Sequence, residues 1–142
     1  MDRARAVNRI VALMLASVAV IHLLPVTGVL GQHHLTALYG LPFDERNTAI
    51  LIRHRAVLFG LLGAFLLYAA ARPRHHLPGM LAGLVSVLSF LWLAWSVGDY
   101  NAYIGRVVAA DAVALICLVV AVSMRAWQFG VTRLATRSSP PP

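Results

Sequence analysis

The sequence predicts an all-α protein, an antiparallel four-helix bundle that crosses a membrane. Of its 142 residues, 60% are hydrophobic and 12% are charged, and the mean hydropathy is +0.77. The hydrophobic residues form four runs that are nearly free of polar side chains, whereas a helix of a soluble protein keeps one polar face. Lipid is therefore the expected solvent for most of the surface.

The four predicted spans lie at residues 10–30, 50–71, 80–97 and 107–124. Each has about 18 to 22 residues, or roughly 30 Å of helix, which matches the hydrocarbon thickness of a bilayer. The first run follows three arginines, as a signal peptide does. It lacks a well-placed small-residue cleavage site and continues past Pro25 to Leu30, so a retained span is expected.

The whole of residues 1–127 is expected to form one membrane domain. Residues 128–142 are expected to form a cytoplasmic and partly disordered tail, because the chain ends in two serines and three prolines.

Two connections between the spans have recognisable turn signals. The longer one, residues 31–47, is expected to hold a brief interfacial helix that ends at Gly40, then a turn at Pro42, with Asp44 as a helix cap. The shorter one, residues 72–79, is basic and rich in turn residues. Its shortness predicts that the second and third spans are adjacent and antiparallel.

The distribution of arginine predicts the orientation of the bundle. The chain has twelve basic residues, all arginine, and a net charge of +7. Eight of the arginines lie at the span ends on the side of the termini and four lie on the opposite side, which predicts that both termini are cytoplasmic. The arginines flank apolar runs and do not alternate with aromatic residues, so nucleic acid is not an expected partner. Membrane lipids are the expected partners instead.

Charged residues inside the spans indicate the site of function, because charge in hydrocarbon is costly and is usually kept for a purpose. Arg53, His54 and Arg55 begin the second apolar run, Asp111 lies in the fourth, and His22 lies in the first. Counted inward from the predicted extracytoplasmic ends, all lie within roughly 5–12 Å of that interface.

The helical wheel separates the two arginines of this triplet. Arg53 and Arg55 are about 200° apart on a helix, so one is expected to face the bundle interior while the other reaches the headgroups. Asp111 is the acid buried in a span and is expected to pair with Arg53, Arg55 or Arg106.

Two interpretations of these residues remain open. The cluster is either an ion pair that only orients the helices, or a polar cavity that binds an anionic headgroup, a small ligand or a partner protein. One acid cannot neutralise several arginines, which favours the anion site. The candidate ligand-binding residues are His22, Arg53, His54, Arg55, Asp99, Tyr100, Asn101, Arg106 and Asp111.

A non-enzymatic function is favoured, with two alternatives. No soluble-enzyme motif is present, no serine lies near an obvious base in the sequence, and the histidine pairs 33–34 and 75–76 lack ligand spacing, so no cofactor, metal or catalytic residue is expected. One alternative is a membrane enzyme, or a redox- or proton-linked transport component, that uses His22, His54 and Asp111. The other is a structural subunit or homo-oligomer that packs through Ala56, Gly60 and Ala64.

Several stretches resemble one family of short bacterial membrane proteins. They are Ile21-His22-Leu23-Leu24-Pro25, Leu38-Tyr39-Gly40, Arg-His-Arg-Ala-Val-Leu-Phe-Gly at residues 53–60, and Gly98-Asp99-Tyr100-Asn101. The sequence is similar, from about residue 9 to about residue 121, to four-span proteins of the bacterial inner membrane that have no established function. The resemblance implies this localisation, and it implies that His22, Arg53, His54, Arg55 and Asp99 are recurring polar positions.

Members of that family often carry the name phosphopantetheine adenylyltransferase. That enzyme is a soluble α/β nucleotidyltransferase with a Thr-x-Gly-His phosphate-binding motif. The motif does not occur in this sequence, where Thr27-Gly28-Val29 lacks the histidine, and four apolar spans cannot build a parallel sheet. The resemblance therefore supplies a fold and a set of positions, and no activity.

Overall fold

The structure, a computed structural model, describes residues 2–137 and the side chains of residues 3–130. It consists of five α-helices, two short 3₁₀ segments and no strand within that range. The helices are α1 (Asp2–Leu23), α2 (Gln32–Tyr39), α3 (Arg46–Ala71), α4 (His76–Val97) and α5 (Ala102–Arg137). The 3₁₀ segments are Leu24–Leu30 and Pro73–His75.

The predicted fold class is confirmed as an all-α bundle. Four stretches are long and apolar enough to cross a membrane, namely Arg3–Leu30, Arg46–Ala71, Pro73–Val97 and Ala102–Gly130. Because the number of crossings is even, α1 begins and α5 ends at one end of the bundle, called here the terminal end. The opposite end carries α2 and is called the α2 end. The direction of insertion stays a prediction.

Helix α1 is the central element, since it packs against α3, α4 and α5. Its residues Val11, Leu15 and Val18 are fully buried and recur at the spacing of one helix face. They meet Leu66 of α3 and Leu118 of α5 in the main core. The opposite faces of the outer helices are lined with exposed leucine and valine, as expected for surfaces in contact with lipid.

Glycine allows the helices to approach closely in this core. A Cβ atom added at Gly63 would lie 2.7 Å from Leu23 Cγ and 3.2 Å from the Ala19 carbonyl oxygen. One added at Gly79 would lie 2.7 Å from the Cβ of Ala69. Backbone contact of this kind gives dispersion energy where hydrophobic driving force is missing.

The α2 end is closed by the connection between α1 and α3. Helix α1 ends at Leu23, just before Pro25, and the chain continues as the 3₁₀ segment. Helix α2 ends as predicted at Gly40, which has a left-handed conformation (φ +65°) and lies under the ring of Tyr103. Leu35, Tyr39 and Phe43 form a second core there. The connection is thus a packed cover over the ends of α3 and α5.

Helix boundaries extend further than the sequence predicts at the terminal end. Helix α5 continues through Arg137, so the expected tail is helical up to that residue, and residues 138–142 lie outside the described range. Arg125 joins the elements of this end: its Nη1 donates to Asn8 Oδ1 at 2.8 Å, and its Nη2 donates to the Pro73 carbonyl at 3.3 Å. Arg125 therefore connects α5 to α1 and to the second 3₁₀ segment.

The predicted cap at Asp44 is wrong by one residue. Glu45 is the N-cap of α3, and its carboxylate accepts hydrogen bonds from the backbone N–H groups of Asn47 (2.8 Å) and Thr48 (2.6 Å) and from the Thr48 hydroxyl (2.8 Å). The longer glutamate side chain reaches back to these free N–H groups. These bonds hold the pKa of Glu45 below its ordinary value.

The variant Gly63→Val is expected to destabilise the bundle by about 1–3 kcal/mol, because the added side chain collides with Leu23 and the backbone of α1. Unfolding in mixed micelles of increasing sodium dodecyl sulfate content measures this change. The matched control is Ala64→Val, one residue along on the exposed side of α3. Equal destabilisation by both variants would contradict the proposed close approach.

The variant Glu45→Gln is expected to lose less stability on acidification than the wild-type protein. The hydrogen bonds lower the pKa of Glu45, so their contribution is complete above pH 4.5 and disappears as the pH falls below that value. Thermal unfolding followed by circular dichroism from pH 7 to pH 3 tests this. Asp44→Asn, at the neighbouring exposed carboxylate, is the control, and identical acid slopes in Glu45→Gln and wild type would refute the cap.

Candidate functional site

Three of the predicted site residues meet inside the bundle near the α2 end. His22 of α1, Arg55 of α3 and Asp111 of α5 line one small cavity of about 70 Å³, together with Tyr39 of α2. This cavity is called here the polar pocket. The remaining wall is apolar and includes Phe59 and Phe90. The sequence-based expectation that His22, one arginine and Asp111 lie at a similar depth agrees with this arrangement.

His22 is fully hydrogen-bonded, and its bonds determine its tautomer. Its Nδ1 lies 2.9 Å from the Val18 carbonyl oxygen, and its Nε2 lies 3.1 Å from Ser86 Oγ on α4. A carbonyl oxygen can only accept, so Nδ1 carries the proton and donates it. In the tautomer protonated at Nδ1, Nε2 accepts a hydrogen bond from the Ser86 hydroxyl. The ring is 2% exposed and also packs against Phe59, with 5.7 Å between the ring centres.

Arg55 is the arginine that faces the interior. Its guanidinium carbon lies 5.1 Å from the ring centre of Phe59 and 5.6 Å from that of Phe90. Each aromatic face attracts the cation, by roughly 1–2 kcal/mol where water is excluded. The rings hold the guanidinium in place and leave its N–H groups without a carboxylate partner among the described residues.

The expected ion pair of Asp111 is not formed within the described part of the chain. Asp111 lines the polar pocket together with His22 and Arg55, and it makes no direct hydrogen bond or ion pair with either. The three arginines that could have paired with it make other contacts. Arg55 packs against the Phe59 and Phe90 rings, Arg106 lies over the Tyr103 ring at 4.4 Å, and Arg53 donates to the Val29 carbonyl. The interpretation as a direct ion-pair staple is therefore wrong in its geometry.

Three of the other predicted residues point away from the polar pocket. Arg53 is exposed, and its Nε donates to the Val29 carbonyl at 3.0 Å, which satisfies the end of the 3₁₀ segment. His54 is exposed and does not line the polar pocket. Arg106 is exposed on α5. His22, His54 and Asp111 consequently do not form one cluster.

The predicted rim residues build the turn between α4 and α5. Asn101 caps α5, since its Oδ1 accepts from the backbone N–H groups of Tyr103 (3.0 Å) and Ile104 (2.9 Å). Its Nδ2 donates to the Tyr39 carbonyl at 3.0 Å and so fastens α2 to this turn. Asp99 is exposed with a left-handed backbone (φ +44°). These two residues shape the turn and do not line the polar pocket.

An open, mostly apolar groove adjoins the polar pocket. It has a volume of about 490 Å³ and runs along α4 from Ser86 to the α4–α5 turn, where Tyr100 lines it. It is called here the α4 groove. Arg55, Phe59 and Phe90 belong to both the pocket and the groove. The guanidinium therefore lies at the junction of the two.

Sequence reasoning missed four residues of this region, namely Tyr39, Phe59, Ser86 and Phe90. The aromatic residues carry no polar signal in an apolar run, and the partner of Ser86 lies 64 positions away in the sequence. Tyr39 is buried, which raises its pKa, while the charge of Arg55 lowers it in part. The phenol therefore stays protonated at neutral pH and can donate a hydrogen bond.

The stripe Ala56, Gly60 and Ala64 is used partly within the chain. Ala56 is buried near Gly28 of the 3₁₀ segment, and Gly60 lies against Val26. Ala64 is the member left exposed. Contact with a second copy or another membrane protein through this stripe stays a prediction.

Comparisons with known proteins do not assign this chain to a family. No family model, no curated protein and no solved structure matches the chain. Among the described residues, no group of three or more histidine, cysteine, aspartate or glutamate side chains is arranged to hold a metal ion.

The variant Asn101→Ala is expected to lower the stability of the protein by about 1–2 kcal/mol, because it removes the cap of α5 and the bond to α2. Asn101→Asp keeps the capping oxygen and loses only the donor to Tyr39. Thermal unfolding together with hydrogen exchange separates the two effects. Exchange in α2 should rise in both variants, and unchanged exchange in both would contradict the link between Asn101 and α2.

Proposed function

We propose that this protein binds an anionic amphiphile, with the headgroup on Arg55 and the apolar chain in the α4 groove. The carrying observation is the position of the Arg55 guanidinium. It contacts the rings of Phe59 and Phe90 at the junction of the polar pocket and the groove, without a carboxylate partner among the described residues.

The chemistry of the guanidinium supports an anion as the ligand. Arginine presents a planar fork of N–H donors that matches a carboxylate or a phosphate, and it stays charged in an apolar environment. Two aromatic faces fix its orientation, so little side-chain entropy remains to be lost on binding. Asp111 lies across the pocket and does not neutralise it directly.

The shape and lining of the α4 groove support an apolar chain behind that headgroup. Leu93, Ala94, Val97 and Ile104 supply its apolar wall, and it is open at the protein surface along α4. A lipid-like molecule could therefore enter sideways from the bilayer. Ligand sites commonly combine a mostly apolar wall with a few polar groups that orient the ligand, which is the combination found here.

We infer that the polar pocket lies on the extracytoplasmic side of the membrane. The excess of arginine at the terminal end supports a cytoplasmic position for that end and an extracytoplasmic position for the polar pocket. The resemblance to bacterial four-span proteins supports the inner membrane as the compartment.

The variant Arg55→Gln is expected to weaken the binding of hexadecyl phosphate by about ten- to one-hundred-fold, because a charge-assisted hydrogen bond contributes about 1.5–3 kcal/mol. Titration of the purified protein in a neutral detergent, followed by native mass spectrometry, measures this. Palmitate in a parallel titration distinguishes a carboxylate from a phosphate headgroup, and hexadecanol reports the chain alone.

Arg53→Gln is the matched control. It removes an arginine from the same helix that points to the Val29 carbonyl instead of the pocket, so binding of hexadecyl phosphate should stay within about twofold of wild type. Equal losses in both variants would indicate a general surface charge effect and would overturn the site. Equal affinity for hexadecanol and hexadecyl phosphate would do the same.

A further inference from the structure

Ser86 behaves differently from other serines of its helix. Ser89 and Ser96 donate their hydroxyls to the carbonyls of Ser86 and Leu93, at 2.9 and 3.0 Å, which is the ordinary bond of a serine inside a helix. Ser86 instead directs its hydroxyl across the bundle to Nε2 of His22, at 3.1 Å. Ser86 also lines the α4 groove, where the proposed ligand lies.

This pair has the geometry of a nucleophile and its base. The Nδ1–H of His22 is bound by the Val18 carbonyl, so Nε2 presents its lone pair to the Ser86 hydroxyl. A hydroxyl within about 2.6–3.2 Å of an oriented imidazole is the arrangement that activates serine toward acyl groups. We propose that Ser86 and His22 form a catalytic dyad that hydrolyses an ester-linked anionic amphiphile bound in the α4 groove. This dyad rests on the proposed function, because the substrate would be a ligand of the same site.

The reaction balances with water as the second substrate. Ser86 Oγ attacks the ester carbonyl carbon while its proton passes to His22 Nε2, and the resulting imidazolium returns that proton to the departing alcohol oxygen as the ester C–O bond breaks. Water then attacks the acyl-serine carbonyl and gives one proton to His22 Nε2. The bond between the acyl carbon and Ser86 Oγ breaks, the carboxylic acid leaves, and His22 returns that proton to Ser86 Oγ. No oxidant or reductant is needed.

Other groups around the dyad suit these steps. The backbone N–H groups beside Ser86 are engaged within α4, so they are not free to stabilise an oxyanion. Arg55 lines the same groove as Ser86, and a guanidinium that binds the headgroup still has further N–H donors for a negative oxygen. Asp111 lines the polar pocket beside His22. The polar pocket has room for about two water molecules beside the imidazole.

A purely structural bond between His22 and Ser86 makes different predictions. Such a bond would satisfy a buried imidazole and would confer no reactivity on the serine. Covalent labelling distinguishes the two roles, because an alkyl fluorophosphonate reacts with a serine only where a base takes up its proton.

The experiment incubates the purified full-length protein, in neutral detergent, with hexadecyl fluorophosphonate and follows the intact mass and the labelled peptide. One adduct per chain on Ser86 is expected. Ser86→Ala should abolish labelling, and Ser96→Ala, the matched control on the same helix outside the groove, should label at the wild-type rate. His22→Gln can still hydrogen-bond Ser86 but cannot accept its proton, so its labelling should slow by about one-hundred-fold or more.

Binding of hexadecyl phosphate to each variant separates this proposal from the proposed function. Wild-type protein that binds the phosphate but forms no adduct would overturn the dyad and leave the binding site standing. Protein that does not bind the phosphate would overturn the binding site, and the dyad with it. An adduct that persists in Ser86→Ala, or an unchanged rate in a folded His22→Gln variant, would also refute the dyad.

Discussion

Close contact between α1 and α3 is the constraint on which the interior site depends. Lipid is as apolar as the helix surfaces, so the helices hold together through dispersion contacts, which require their backbones to lie near each other. Gly63 provides this contact against Ala19 and Leu23. His22 lies between those two residues in sequence, and Phe59 lies one turn before Gly63, so the same contact brings the imidazole against the ring. The position of the histidine follows from backbone packing and does not require an ion pair.

The polar groups near the polar pocket differ in their hydrogen bonding. His22 has both ring nitrogens bonded, and Asn101 uses both ends of its amide to hold the α2 end together. Arg55 and Asp111, by contrast, face a shared cavity without a direct bond between them. A structural staple would show the opposite pattern, since an unpaired buried charge is costly. The hydrogen bonds therefore lie around the pocket, while Arg55 and Asp111 line it without bonding to each other.

The sequence predicts the spans well and the site only in part. Continuous apolar runs of bilayer length permit few structures other than helices, which is why the fold class and the interior position of one arginine could be derived. The choice of Arg55 over Arg53 could not, because it depends on Phe59 and Phe90, whose positions around the helix acquire meaning only after α4 is packed. The Glu45 cap was missed and Asp44 was predicted in its place, because the longer glutamate side chain one residue later reaches the free N–H groups of α3. The Ser86–His22 bond joins separate helices and leaves no local pattern.

The ring of Phe59 is shared by two ionisable side chains, with His22 at 5.7 Å between ring centres and the Arg55 guanidinium carbon at 5.1 Å from its centre. If this phenyl ring moved, for example when a molecule enters the α4 groove, the packing of both neighbours against it would change. One uncharged ring is therefore the packing surface of both the cation and the imidazole.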